Sequence, residues 1–177
     1  MYKHTTRRYI LGTHPIASIP MRRRFLILAL ALTPLMASAQ SPTERVSAVL
    51  DALHTAASEA NFEGYFSLYA ENAVFLGTDA TERWPIDQFK SYTKARFEEG
   101  TAWTYHMQER NIAFSPDGNV AWFDEALTNE NMGLTRGTGV LVLTAGEWKI
   151  TQYNLTVPVP NELARAFVAL IREHGSH

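Results

Sequence analysis

The chain has 177 residues, 46% of them apolar, with no cysteine and a formal charge of −2. Six of its sixteen Lys and Arg residues (Lys3, Arg7, Arg8, Arg22, Arg23, Arg24) and none of its eighteen acids fall in residues 1–39, so the remainder carries ten cations against eighteen anions, a formal charge of −8. Scattered cations in so acidic a chain exclude a nucleic-acid binder, which needs a clustered basic face, and the missing cysteines exclude a disulfide framework.

The N-terminus has the pattern of an export signal. Met21 precedes the basic run Arg22, Arg23, Arg24; Phe25 to Leu35 is apolar; Ala37, Ser38, Ala39 fits a small-residue cleavage site. The expectation is an upstream extension over 1–20, a signal peptide over 21–39 with cleavage after Ala39, and a periplasmic or secreted protein. Eleven apolar residues are shorter than the roughly 20 that span a bilayer, so no stable membrane anchor is expected after cleavage. Arg22 and Arg23 before Phe25 and Leu26 also fit a twin-arginine signal, so both export routes stay open, as does a start at Met1 or Met21. Residues 40–177 are then one domain, long enough for a single core.

In this domain Ser41, Pro42, Thr43, Glu44 predicts a capping box with proline at the first helical position. Val46, Val49, Leu50, Leu53, Ala56, Ala57 and Ala60 follow at helical spacing. His54 lies off that stripe and reads as a surface or packing residue. Asn61 caps a second short helix from Phe62 to Tyr69, Ala73 to Leu76 reads as a strand, and Trp84–Pro85 introduces a third helix over 86–97. From Thr101 the apolar period becomes two. Two hairpins are expected, one turning at 116–118 and one at 145–147, followed by Pro158, Pro160 and a last helix capped by Asn161 with Leu163, Phe167, Leu170 and Ile171 on one stripe. This order predicts an α+β fold, a cone-shaped barrel in which a strongly curved antiparallel sheet wraps around about three N-terminal helices, with a C-terminal helix added.

A three-residue turn at 116–118 pairs Arg110 with Asp124 and Ile112 with Trp122 on an inward face, leaving Phe123, Glu125 and Glu109 on the other. A four-residue turn pairs Arg110 with Glu125 instead. In the second hairpin the polar set Thr138, Gln152 and Asn154 falls on one face and Leu141, Leu143, Thr151, Tyr153 and Leu155 on the other, an apolar face that is a candidate for contact with a second copy.

The stretches Phe75-Leu76-Gly77-Thr78-Asp79, Trp84-Pro85, Val120 to Glu125, Gly137 to Leu141 and Trp148-Lys149-Ile150, in this element order, resemble the SnoaL-like branch of the nuclear transport factor 2-like superfamily, which also holds ketosteroid isomerases and shares the cystatin-like fold. The resemblance implies a pocket between helices and sheet, and a homodimer packed through the sheet. It implies for catalytic members an aspartate or histidine on the sheet as proton base. No donor tyrosine or second acid is matched by motif.

Two functional readings follow. In the favoured one, an exported binding protein holds a small apolar or aromatic molecule in a pocket lined by Trp84, Trp103, Tyr105, Trp122 and Tyr153, with Arg110, Thr138, Gln152 and Asn154 as polar contacts. In the other, an isomerase, cyclase or hydrolase uses Asp124 or His106 as general base with Arg110 orienting a carboxylate or enolate. No cofactor or metal is expected: His54, His106, His174 and His177 stand in unrelated contexts, and no phosphate loop or nucleophile elbow occurs.

Overall fold

The computed structural model describes residues 40–100 and 102–175; the expected extension, signal peptide and cleavage point lie outside the described residues. Helix α1 (Pro42–Ser58) begins as the capping box requires: Ser41 Oγ accepts from the Glu44 amide, and a Glu44 carboxylate oxygen accepts from the Ser41 amide at 2.7 Å. Its stripe of Val46, Leu50, Leu53 and Ala57 is fully buried. Asn61 caps α2 (Phe62–Ser67) through its side chain, and Tyr65 and Phe66 turn inward from it.

Six strands form one sheet in the order β2-β1-β6-β5-β4-β3. They are β1 (Tyr69–Leu76), β2 (Arg83–Pro85), β3 (His106–Phe114), β4 (Val120–Asn129), β5 (Gly133–Thr144) and β6 (Glu147–Thr156). Helix α3 (Ile86–Glu98) follows β2, and α4 (Ala164–His174) ends the described chain. The two edges, β2 and β3, do not meet, so the sheet is curled and open. Helix α1 packs against both β3 and β6, which lie three positions apart in the sheet, and a sheet reaches one helix at both places only by bending around it. The fold expectation holds with one refinement: β1 runs parallel to β6, so the sheet is mixed. The short strand β2, and β1 beginning at Tyr69, were not legible from the sequence. Helix α4 starts at Ala164 with Leu163 as its cap, and no side chain caps it.

The first hairpin corrects the favoured register by one residue. Ser115 pairs with Val120: the Ser115 amide donates to Val120 O at 2.9 Å and the Val120 amide to Ser115 Oγ at 3.0 Å. Asp117 Oδ1 accepts from the Asn119 amide, so Asn119 stays in the loop. A loop of four residues results, Arg110 faces Glu125, and Asn111 faces Asp124. Because side chains alternate along a strand, this one step turns the whole face over: Phe123, Glu125 and Leu127 point into the core, while Trp122 is 49% exposed and Asp124 is exposed.

The second hairpin turns through Ala145 and Gly146, both at positive φ (51° and 85°), which is a two-residue turn with Thr144 opposite Glu147. A bulge then inserts one residue between the Leu141–Ile150 and Val140–Gln152 pairs. The bulge lets Trp148 and Ile150 face inward before it and Tyr153 and Leu155 after it. Leu141, Tyr153 and Leu155, expected on a face for a second copy, are core residues: the two-residue turn sets Leu141 opposite the inward Ile150, and the bulge brings Tyr153 and Leu155 to the same face.

Candidate functional site

The bend of the sheet leaves a cavity of about 570 Å³ between helices and sheet. Its walls are largely aromatic. Tyr65 enters from α2, Phe75 from β1, Trp84 from β2, Phe89 and Tyr92 from α3, Trp103 and Tyr105 from the segment before β3, and Tyr153 from β6. Several of these rings brace one another: Phe75 stacks on Phe89 with centroids 4.0 Å apart, and Trp84 on Tyr92 at 4.8 Å. The polar contribution to the lining comes from His54, Thr78, Glu82, Arg96, Thr104, His106 and 129–131. The lining is therefore mixed, aromatic faces on one hand and several charged and polar side chains on the other.

His54 is the lining residue that reaches a buried carboxylate. It projects from α1 with its side chain 12% exposed, and Nε2 lies 2.9 Å from Glu125 Oε1, a carboxylate with no solvent exposure. Nδ1 has no hydrogen-bond partner among the described residues. The Tyr153 hydroxyl donates to the same Glu125 oxygen at 2.9 Å. Arg110 holds the other oxygen, with Nε donating to Oε2 at 2.8 Å. The guanidinium is in turn fixed to α1: Nη1 donates to Ser47 O (3.2 Å), Ser47 Oγ (2.7 Å) and Asp51 Oδ1 (2.7 Å). Ser47, Asp51 and His54 recur at four- and three-residue spacing, so one polar line along α1 receives both Arg110 and Glu125.

Electrostatics follow from these contacts. Burial alone would raise the Glu125 carboxyl, but the hydrogen bond with His54 and the charge and hydrogen bond of the Arg110 guanidinium more than offset it and hold it below its ordinary value. Burial pushes the Tyr153 and Tyr69 hydroxyls well up, and the Glu125 charge adds to this, so both phenols stay protonated. Tyr65, whose hydroxyl lies 3.1 Å from that of Tyr69, is raised by burial as well. Tyr105 is raised less, also by burial, and donates only to Met132 Sδ at 3.5 Å. Among the described residues the cavity lining thus holds two imidazoles, His54 and His106, and Tyr105 as a weakly engaged phenol whose ring lies 6.4 Å from that of His54.

Trp84, Trp103, Tyr105, His106 and Tyr153, expected in the site, all line the cavity. Asp124 does not: it faces outward and accepts from Asn111 Nδ2 at 3.2 Å. Trp122, Thr138, Gln152 and Asn154 share that outer face of the sheet, and Asn154 Nδ2 lies 3.5 Å from Thr138 Oγ1. Arg110 stands behind Glu125, outside the lining. The sequence reading missed His54 and Glu125. The signal available for them was the polar line Ser47, Asp51, His54 beside the apolar stripe, with Arg110 opposite Glu125 in the four-residue register. No three His, Asp or Glu residues gather as metal ligands among the described residues.

The SnoaL-like domain profile matches residues 46–160, well over half of the chain. Among solved structures, a nuclear transport factor 2-like protein of unknown function from Pseudomonas putida superposes with a TM-score of 0.57 at 12% identity, covering 70% of this chain and 93% of that one. A protein from Nostoc punctiforme with a cystatin-like fold and unknown function gives 0.53 at 10% identity, covering 64% and 89%. A protein from Novosphingobium aromaticivorans provisionally named scytalone dehydratase gives 0.55 at 14% identity, covering 66% and 84%. At these identities the likeness shows the fold alone. No curated protein matches the chain.

Proposed function

The chain belongs to the SnoaL-like domain family, and from that premise we propose that it binds a small aromatic molecule in the α1–α3–sheet cavity and moves a proton on it, with His54 as the base. One observation carries this reading: His54 lines an aromatic-walled cavity with Nε2 on a buried carboxylate and Nδ1 without a hydrogen-bond partner among the described residues. A carboxylate behind a histidine fixes its tautomer and orientation and supports the positive charge it gains on taking a proton. Tyr105 is the cavity phenol placed to donate to an oxygen of the bound molecule. Isomerisation, cyclisation and dehydration next to a carbonyl all begin with such a proton transfer, and the dehydratase name of one structural neighbour falls in this class.

The test is solvent exchange. A bicyclic aromatic ketone such as 2-tetralone, incubated with the protein in D2O, incorporates deuterium beside its carbonyl faster than in buffer, and quenches tryptophan fluorescence through Trp84 and Trp103. Quenching without accelerated exchange leaves the plain binding protein as the function.

The domain is further proposed to act after export, on the strength of the signal pattern at 21–39, and as a homodimer through the outer face of its sheet, where Trp122 is half-exposed beside Val140. Sedimentation of the wild type against Trp122→Glu tests the second point: the variant is monomeric if that face is the interface.

A further inference from the structure

Arg110 has no place in the cavity, yet it is almost as buried as the acid it holds, with its side chain 4% exposed. We propose that Arg110 is a positioning residue that keeps His54 uncharged and in the Nε2–H tautomer, so that Nδ1 is an empty base when the substrate arrives. This rests on the reading of His54 as the base.

Charge must balance around a carboxylate shut off from solvent. A carboxylate with no solvent exposure requires about one compensating positive charge nearby. Two groups touch Glu125 that could supply it, Arg110 at Oε2 and His54 at Oε1. Arg110 is permanently charged, so it fills that role and the imidazole need not. A neutral imidazole facing a carboxylate must present an N–H to it, which places the proton on Nε2 and the lone pair on Nδ1. Without Arg110, the remaining partner among the described residues able to neutralise Glu125 is His54 itself, which then binds a proton on each nitrogen and has no lone pair to offer.

The other titratable groups around the imidazole do not upset this balance. Tyr65 on α2, Tyr69 on β1 and Tyr153 on β6 are phenols kept neutral by burial, as is Tyr105 before β3. Asp51 on α1 is 58% exposed, and its charge meets Arg110 at the outer side of the guanidinium. Three hydrogen bonds from Nη1 to Ser47 and Asp51 tie Arg110 to the helix that carries His54. The geometry of base, acid and cation is therefore set as a unit.

The test reads the imidazole directly by nitrogen NMR of 15N-labelled protein at pH 7, without ligand, with His54 assigned by its loss in His54→Gln. In the wild type, Nδ1 resonates as an unprotonated nitrogen and Nε2 as a protonated one. In Arg110→Met both nitrogens move to the protonated position, and in Arg110→Lys, which restores the charge without the fork, Nδ1 returns to the unprotonated position. Proton exchange on 2-tetralone follows the same order, and in Arg110→Met it recovers as the pH is raised. A wild-type His54 protonated on both nitrogens at pH 7, or one unprotonated at Nε2, overturns the proposal; so does a folded Arg110→Met whose His54 is unchanged. If Arg110→Met does not fold, the wild-type and Arg110→Lys spectra decide alone. A neutral Nε2–H imidazole in a protein that exchanges no substrate proton upholds the role of Arg110 and refutes that of His54 as a base.

Discussion

His54 and Glu125 are 71 positions apart in the chain, and the imidazole Nε2 stands 2.9 Å from a carboxylate oxygen that has no exposure to solvent. One comes from the first helix and the other from the fourth strand, and the bend of the sheet around α1 brings them together. The contact sets an imidazole of the cavity lining against a buried carboxylate.

Glu125→Gln removes the charge on which His54, Arg110 and Tyr153 converge. The buried Arg110 guanidinium then keeps only the exposed Asp51 as a counter-charge among the described residues, and breaking a buried pair in this way costs about 3–5 kcal/mol. Urea unfolding followed by circular dichroism measures the loss. A change below about 1 kcal/mol would mean that Asp51 alone balances Arg110.

The pH dependence of stability has two limbs with opposite signs. Glu125 is held below its ordinary value of 4.5, so its contribution is present above that value and is lost as the pH falls through the lower folded value. Tyr153 is raised above 10.0, so its contribution is present below 10 and is lost as the pH rises through the higher folded value. Unfolding free energies measured from pH 2 to 11 therefore fall more steeply on the acid side in the wild type than in Glu125→Gln, and more steeply on the alkaline side than in Tyr153→Phe. Parallel curves would show that these groups are not the source of either limb.

The register of the first hairpin predicts unequal costs for two neighbouring aromatics. Phe123→Ala opens a void in the core and costs about 3–5 kcal/mol. Trp122→Ala lies on the half-exposed outer face and costs about 1 kcal/mol or less in the monomer. The reverse order would restore the three-residue turn and an inward Asp124.

Much of the fold was legible because its signals are local. The Ser41–Glu44 box, the Asn61 cap and Trp84–Pro85 each specify a nearby backbone geometry, and the structure has helices at all three. The site depended on one turn. Asp124 and Glu125 are adjacent acids on one strand, and whether the loop holds three residues or four decides which of them is buried. The four-residue loop is fixed by the Ser115 and Asp117 side chains, a closure that residue type alone does not distinguish from the shorter turn. His54 was obscure for a different reason. A single histidine beside an apolar helical stripe has no partner in its own segment, and its partner is supplied by tertiary packing.

Gly137 tests how closely the site is fitted. A Cβ there would fall on the Tyr153 hydroxyl and 2.9 Å from Glu125 Oε1. Gly137→Ala forces one of them aside, with a cost of about 1–3 kcal/mol, and the exchange rate on 2-tetralone drops with it. Unchanged stability and rate would show that the Tyr153–Glu125–His54 arrangement has slack.

The most direct test of the central claim compares the wild type with His54→Gln for deuterium uptake by 2-tetralone at saturating ketone, with binding followed in parallel by tryptophan quenching. The variant is expected to bind the ketone about as tightly and to exchange about 100-fold or more slowly, the usual range for a lost general base. Equal exchange rates in the two proteins, with binding intact, would contradict it.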